Sequence, residues 1–70
     1  MSQWSATQAT RVLAALLRIG WRIKRASGSH RVLARDGWPD MVFAFHDREE
    51  VGPRMLARLA KVTGLKPEDL

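Results

Sequence analysis

Apolar residues change their spacing at Gly20-Trp21, from intervals of three and four to intervals of two. Upstream, Val12, Leu13, Leu16 and Leu17 recur at helical intervals while Arg11 and Arg18 fall away from that stripe, which predicts an amphipathic helix. Ser5 and Gln8 stand ahead of it at capping-box spacing, Thr7 is a second N-cap candidate, and Gly20 supplies a left-handed stop. Downstream, Trp21, Ile23 and Arg25 alternate with Arg22, Lys24 and Ala26, the pattern of a strand with one face on a core. A helix that hands over directly to strands implies a domain in which helices cover a sheet.

The remaining elements follow by the same logic. Ser27-Gly28-Ser29 is a turn, after which His30, Val32 and Ala34 share one strand face and Arg31, Leu33 and Arg35 share the other. Asp36-Gly37 is a hairpin signal, and Pro39 is expected to keep that connection out of the ladder. Met41 to Phe45 is apolar throughout, so a third strand is expected there, central or well covered. Gly52-Pro53 opens a second helix with Met55, Leu56, Leu59, Ala60 and Thr63 on its apolar side, Arg54, Arg58 and Lys61 on the other, and Gly64 at its end. Residues 65–70 read as a C-terminal tail or the first turn of a short helix. The predicted fold is a single α+β domain over residues 1–70. It is a two-layer sandwich in the order helix-strand-strand-strand-helix, with a three-stranded antiparallel sheet, the element order of double-stranded RNA-binding domains.

A chain of 70 residues buries only about 60% of its unfolded surface, so every large apolar side chain matters to stability. The absence of cysteine excludes thiolate chemistry, cysteine-bound zinc and disulfide stapling. Met1 to Ser5 has neither the basic nor the apolar region of a signal peptide, and the longest mostly apolar stretch, Val12 to Leu17, is far short of the ~20 residues that span a bilayer. A cytoplasmic protein without membrane contact is expected. Its net charge of +5 is unevenly distributed: residues 1–35 carry seven Lys and Arg and no carboxylate, and the remainder is −2. Such a field points to a polyanion, nucleic acid or an acidic protein, as partner.

No glycine-rich phosphate loop, dinucleotide fingerprint, two-histidine helix motif or nucleophile elbow occurs, and no cofactor is expected. Asp47, Glu49 and Glu50 beside His46 have the side chains of a cation site, but three acids in a loop are ordinarily solvated, and no metal is expected. His30 has a different setting: it follows a flexible turn, opens a strand and has Lys24, Arg25 and Arg31 nearby. RNA carries its own nucleophile, the 2′-hydroxyl. A ribonuclease therefore needs mainly a proton-transfer group near neutrality and cations on the phosphate. On spacing alone, Gly28-Ser29 as an ordinary hairpin turn and His30 as a half-buried edge residue account for the same pattern. His46 reads as a strand-terminal residue and a secondary catalytic candidate.

The run Leu17-Arg18-Ile19-Gly20-Trp21-Arg22-Ile23-Lys24-Arg25-Ala26-Ser27-Gly28-Ser29-His30 resembles the HicA toxin family, in which a helix ends at glycine, an aromatic residue starts a strand and Gly-Ser-His follows. His46, Pro53, Leu56, Leu59, Gly64 and Leu65 continue the resemblance, which runs from about Thr10 to Leu65. It implies a double-stranded RNA-binding-domain-like fold and metal-independent, translation-independent mRNA cleavage with His30 as the catalytic residue. Lys24, Arg25, Ser27, Gly28, Ser29, Arg31 and Arg54 would meet the RNA. A HicB-like antitoxin would cover the toxin and repress the shared operon, the free protein being a monomer and the complex a hetero-oligomer. Trp38, expected exposed in the hairpin turn, is a candidate anchor for that partner. Two positions depart from the family pattern: Arg54-Met55 stands where Gly-Thr is common, and Ala44 replaces a proline before His46. A non-catalytic RNA-binding module and an interaction module for an acidic protein are the alternative readings of the residues.

Overall fold

In the computed structural model, which describes residues 3–70, two helices pack on one face of a three-stranded antiparallel sheet. The first helix, α1, spans Ala9–Arg18 and buries Ala9, Val12, Ala15 and Leu16, while Leu17 lies at the edge of the stripe and is exposed. Its end is a Schellman arrangement: the Trp21 N–H donates to the Leu16 carbonyl and the Gly20 N–H to the Leu17 carbonyl. Gly20 sits at φ +113°, a conformation that favours glycine.

The start of α1 differs from expectation. Gln8, not Ser5 or Thr7, occupies the cap position and offers no side-chain bond, and the Thr7 hydroxyl donates instead to the Ser5 carbonyl. Thr7–Gln8 forms a short strand, β1, antiparallel to β5 at Glu50–Val51. This ribbon brings the loop ahead of β5 against the helix, and the N–H groups of Ala9 and Thr10 donate to the Glu49 and Asp47 carbonyls. Loop carbonyls thus satisfy donors that a capping side chain would otherwise serve.

The sheet strands are β2 (Arg22–Ser27), β3 (His30–Arg35) and β4 (Trp38–Ala44), in that spatial order. Two-residue turns at 28–29 and 36–37 join them, so β3 is central and β4, expected to be central or well covered, is an edge. Its apolar run divides between the faces: Met41 and Phe43 are buried against the helices, whereas Val42 is 58% exposed on the other side. Pro39 was expected outside the ladder but lies within β4, where the register slips by one residue between Leu33 and Arg35. A bulge on an edge strand tolerates its missing donor. All six residues of β2 are exposed, so Trp21, just before it, is the residue of that run that reaches the core.

Helix α2 spans Pro53–Thr63 and ends at Gly64, φ +77°, burying Leu56, Leu59 and Thr63 but leaving Met55 partly exposed. Residues 65–70 are no loose tail: Leu65 belongs to the core, Pro67–Asp69 makes a 3₁₀ turn, Leu70 packs on the core and Arg18 donates to the Asp69 carbonyl. The core joins Val12 and Leu16 of α1, Leu33, Met41 and Phe43 of the sheet, and Leu56 and Leu59 of α2. At one end of it Trp21 stands edge to face with Trp38, and the Arg35 guanidinium lies 5.2 Å from the Trp38 ring centre. Trp38 therefore keeps 37% of its surface exposed while its remainder is packed.

Candidate active site on the open sheet face

The helices cover one face of the sheet, and the register decides what the other presents. Ile23 pairs with Leu33, but Arg25 pairs with Val32, so Lys24 is an extra residue bulged out of β2. The bulge breaks the alternation expected for Trp21, Ile23 and Arg25. Ile23 shares the face of buried Leu33, whereas Arg25 shares that of Val32. Lys24 points the same way as Arg25 and reaches Asp40 of β4, its Nζ 2.7 Å from the carboxylate. The open face accordingly gathers Arg22, Lys24, Arg25 and Ser27 from β2, His30, Val32 and Ala34 from β3, and Asp40, Val42 and Ala44 from β4.

His30 opens the central strand, pairing with Ser27 on one side and Ala44 on the other. Both neighbours are small, and His30 is exposed. Between Ser27 and His30 the turn places Gly28 at φ +60° in its first position, as two-residue hairpins with glycine first require. No atom lies within 4 Å of where a Gly28 side chain would project, so the backbone there is open to an approaching ligand.

Past the end of β4 the chain bends over this turn. Gly28, Ser29, Arg31, Phe45, His46 and Asp47 enclose a shallow hollow of about 180 Å³. Arg31 is largely covered, 20% of its side chain exposed, and its Nη2 donates to Asp47 at 3.1 Å. A guanidinium has five N–H donors, so this bond leaves others for an anion. His46 is held through its backbone: its N–H donates to the Glu49 carboxylate and its carbonyl accepts from the Glu49 N–H, leaving the imidazole out of both bonds. The Asp47 and Glu49 carboxylates accept from Arg31 and the His46 N–H respectively, and Glu50 is an exposed residue of β5. Among the described residues no group of three His, Asp or Glu is arranged to hold a metal ion.

The structure thus brings Lys24, Arg25, Ser27 and His30 onto one face, and Gly28, Ser29, Arg31 and His46 around the adjoining hollow. Arg54 is elsewhere. It lies in the first turn of α2, in the helix layer, where Gly52, Met55 and Arg58 line a separate depression with it. Sequence reasoning missed Asp40, the carboxylate of the open face. Counting back from buried Met41 by one would have placed it beside Val42.

The family model for the HicA toxin of bacterial toxin-antitoxin systems matches residues 9–65. The chain belongs to the HicA toxin family. No curated protein matches it individually. The matched span begins with the first residue of α1 and ends at core residue Leu65, so it contains both helices, the whole three-stranded sheet, His30 and His46. The HicA assignment makes the protein a toxin that works with an antitoxin partner. Among the described residues no helix is long and apolar enough to cross a membrane.

Proposed function

We propose that this HicA-family toxin is an endoribonuclease that cleaves mRNA at the phosphate next to an activated 2′-hydroxyl. His30 is the proton-transfer group, Lys24, Arg25 and Arg31 attract and hold the phosphate, and the Gly28-Ser29 backbone lies against the strand. A HicB-like antitoxin holds the toxin silent, and the reaction takes place in the cytoplasm, on a monomeric free toxin. The observation that carries this reading is the position of His30: exposed, at the head of the central strand, between two small residues and on the face that the bulged β2 fills with cations.

The chemistry follows from that setting. The 2′-oxygen attacks phosphorus, the bond to the 5′-oxygen breaks, and the products end in a 2′,3′-cyclic phosphate and a 5′-hydroxyl. Cations beside the phosphate stabilise charge that grows on its non-bridging oxygens. A strand held in register on both sides fixes the imidazole better than a loop does. Arg54, in the other layer, meets a different stretch of the RNA backbone and adds attraction without taking part in the reaction.

The test is cleavage of RNA and arrest of growth by His30→Ala. Proton-transfer help is worth about 10²–10⁴-fold, so a loss of that order is expected with an unchanged circular dichroism spectrum. A folded His30→Ala protein that cleaves at the wild-type rate overturns the assignment.

A further inference from the structure

Transfer of a phosphate from the 5′-oxygen to the 2′-oxygen moves two protons on opposite sides of phosphorus. The 2′-hydroxyl gives one up as its oxygen bonds to phosphorus, and the departing 5′-oxygen takes one as its bond breaks. A single imidazole serves one side at a time. The chain has two histidines, the side chains best matched to such transfers near neutral pH. Both lie at the same end of the sheet. His30 pairs with Ala44, and His46 follows Ala44 by two residues. β4 ends at Ala44, so the ladder stops there. About 5 Å across it and at most about 7 Å for two further residues put the His46 backbone within about 12 Å of that of His30, a gap that two imidazoles and a phosphate between them can span.

The hollow adjoins the turn that leads into His30, although His30 itself does not line it. His46 lines it, as do Ser29 and Arg31, the residues that flank His30 in the chain. Arg31, braced by Asp47 at 3.1 Å, supplies a positive charge in the hollow beside His46, one residue along the strand from His30. Since the fastening of His46 runs through its backbone N–H and carbonyl, its ring is left for chemistry.

We propose that His46 is the second proton-transfer group of the cleavage reaction, working opposite His30 with the phosphate held at Arg31. One imidazole accepts the 2′-hydroxyl proton and the other, as imidazolium, donates to the 5′-oxygen. The electron pair of the broken P–O bond stays on that oxygen. No co-reactant is consumed, and subsequent proton exchange with water resets the pair. The proposal rests on the ribonuclease reading above and adds to it a residue, a role and a location for the phosphate.

The experiment compares wild type, His30→Ala and His46→Ala on two substrates. One is an oligoribonucleotide. The other is a uridine 3′-(4-nitrophenyl phosphate), whose leaving group departs as a stable anion and needs no proton. On the oligoribonucleotide both variants should lose about 10²-fold or more. On the activated ester the loss should largely disappear for whichever variant lacks the proton donor and persist for the one that lacks the acceptor. Circular dichroism of His46→Ala should match wild type, because its loop bonds do not use the ring. The proposal is overturned if His46→Ala cleaves the oligoribonucleotide at close to the wild-type rate, or if its loss and that of His30→Ala respond identically to the change of leaving group. A wild-type protein that binds RNA and cleaves neither substrate overturns the ribonuclease reading itself, an outcome distinct from either of those.

Discussion

Trp21 donates its indole N–H to the carbonyl of Thr63 at 3.0 Å, a buried bond that ties the start of the sheet, three residues past the end of α1, to the last residue of α2. Thr63 is fully buried as well, its hydroxyl donating to the Leu59 carbonyl and accepting from the Leu65 N–H. The ends of both helices and the start of β2 therefore meet in one hydrogen-bonded cluster, at the opposite end of β2 from the Gly28-Ser29 turn.

Replacement of Trp21 by Phe keeps an aromatic ring but leaves the Thr63 carbonyl without that donor. An unsatisfied buried acceptor costs about 1–3 kcal/mol, and the smaller ring adds a packing loss. The urea midpoint of Trp21→Phe should fall accordingly with an unchanged slope. RNA cleavage per folded molecule should match wild type, since His30 lies at the other end of the sheet; an unchanged midpoint would show that the bond contributes nothing.

Asp40 is the carboxylate on the open face, and it holds Lys24 at 2.7 Å. Both side chains are about half exposed, so the pair contributes at most about 1 kcal/mol to folding. Asp40→Asn should therefore leave the melting temperature nearly unchanged while tightening RNA binding, because Lys24 is released and a repulsive charge removed. The dependence of log K on log salt should steepen by about 0.7 for one added contact to single-stranded RNA. Weaker binding by Asp40→Asn would show that Asp40 positions Lys24 for RNA and does not compete with RNA for it.

Cleavage through the 2′-hydroxyl needs no metal-activated water. Activity should persist in a chelator, and the products should carry a cyclic phosphate or 3′-phosphate, read by end-labelling. Activity lost in chelator and restored by Mg²⁺ or Mn²⁺ would mean that a metal ion supplies the nucleophile or stabilises the leaving group.

The antitoxin of this toxin is expected to bind over His30, Lys24, Arg25 and Arg31 and to compete with RNA for the open face. Acidic side chains on the partner would speed association at low salt, and raising salt should slow it. The measurement is displacement of a labelled RNA by the purified partner at fixed ionic strength. A ternary complex that keeps RNA at unchanged affinity would locate inhibition elsewhere.

Much of this arrangement was legible in the sequence, and the parts that were not share a cause. Val12 and Leu16, Leu56 and Leu59 mark the helices because burial repeats with the helical turn, and Gly20 and Gly64 mark their ends because the backbone there takes positive φ. His30, Val32 and Ala34 could be placed on one face because β3 keeps strict alternation. The β1–β5 ribbon could not be foreseen: two residues on each side carry no period, and what pairs them is proximity created by the finished fold. The bulge at Lys24 was equally invisible, since six exposed residues fit either phase of alternation and only the partner strand reveals the slip. The apolar run of β4 suggested a central strand, whereas turn length, which sets strand order, puts it at the edge.

Strict alternation would give each side of a six-residue strand three side chains. The extra residue in β2 gives the uncovered side four, Arg22, Lys24, Arg25 and Ser27. The slip thus acts as a charge concentrator, putting Arg25 on the same face as Arg22 and Lys24. It also makes β2 sensitive to length in a way that composition does not reveal. Deleting Lys24 would remove one positive charge and at the same time restore the regular phase. A chain altered in that way would differ from a Lys24→Ala protein, which loses the charge but retains the slip, and comparing the two would separate the contribution of a cation from that of the geometry that displays it.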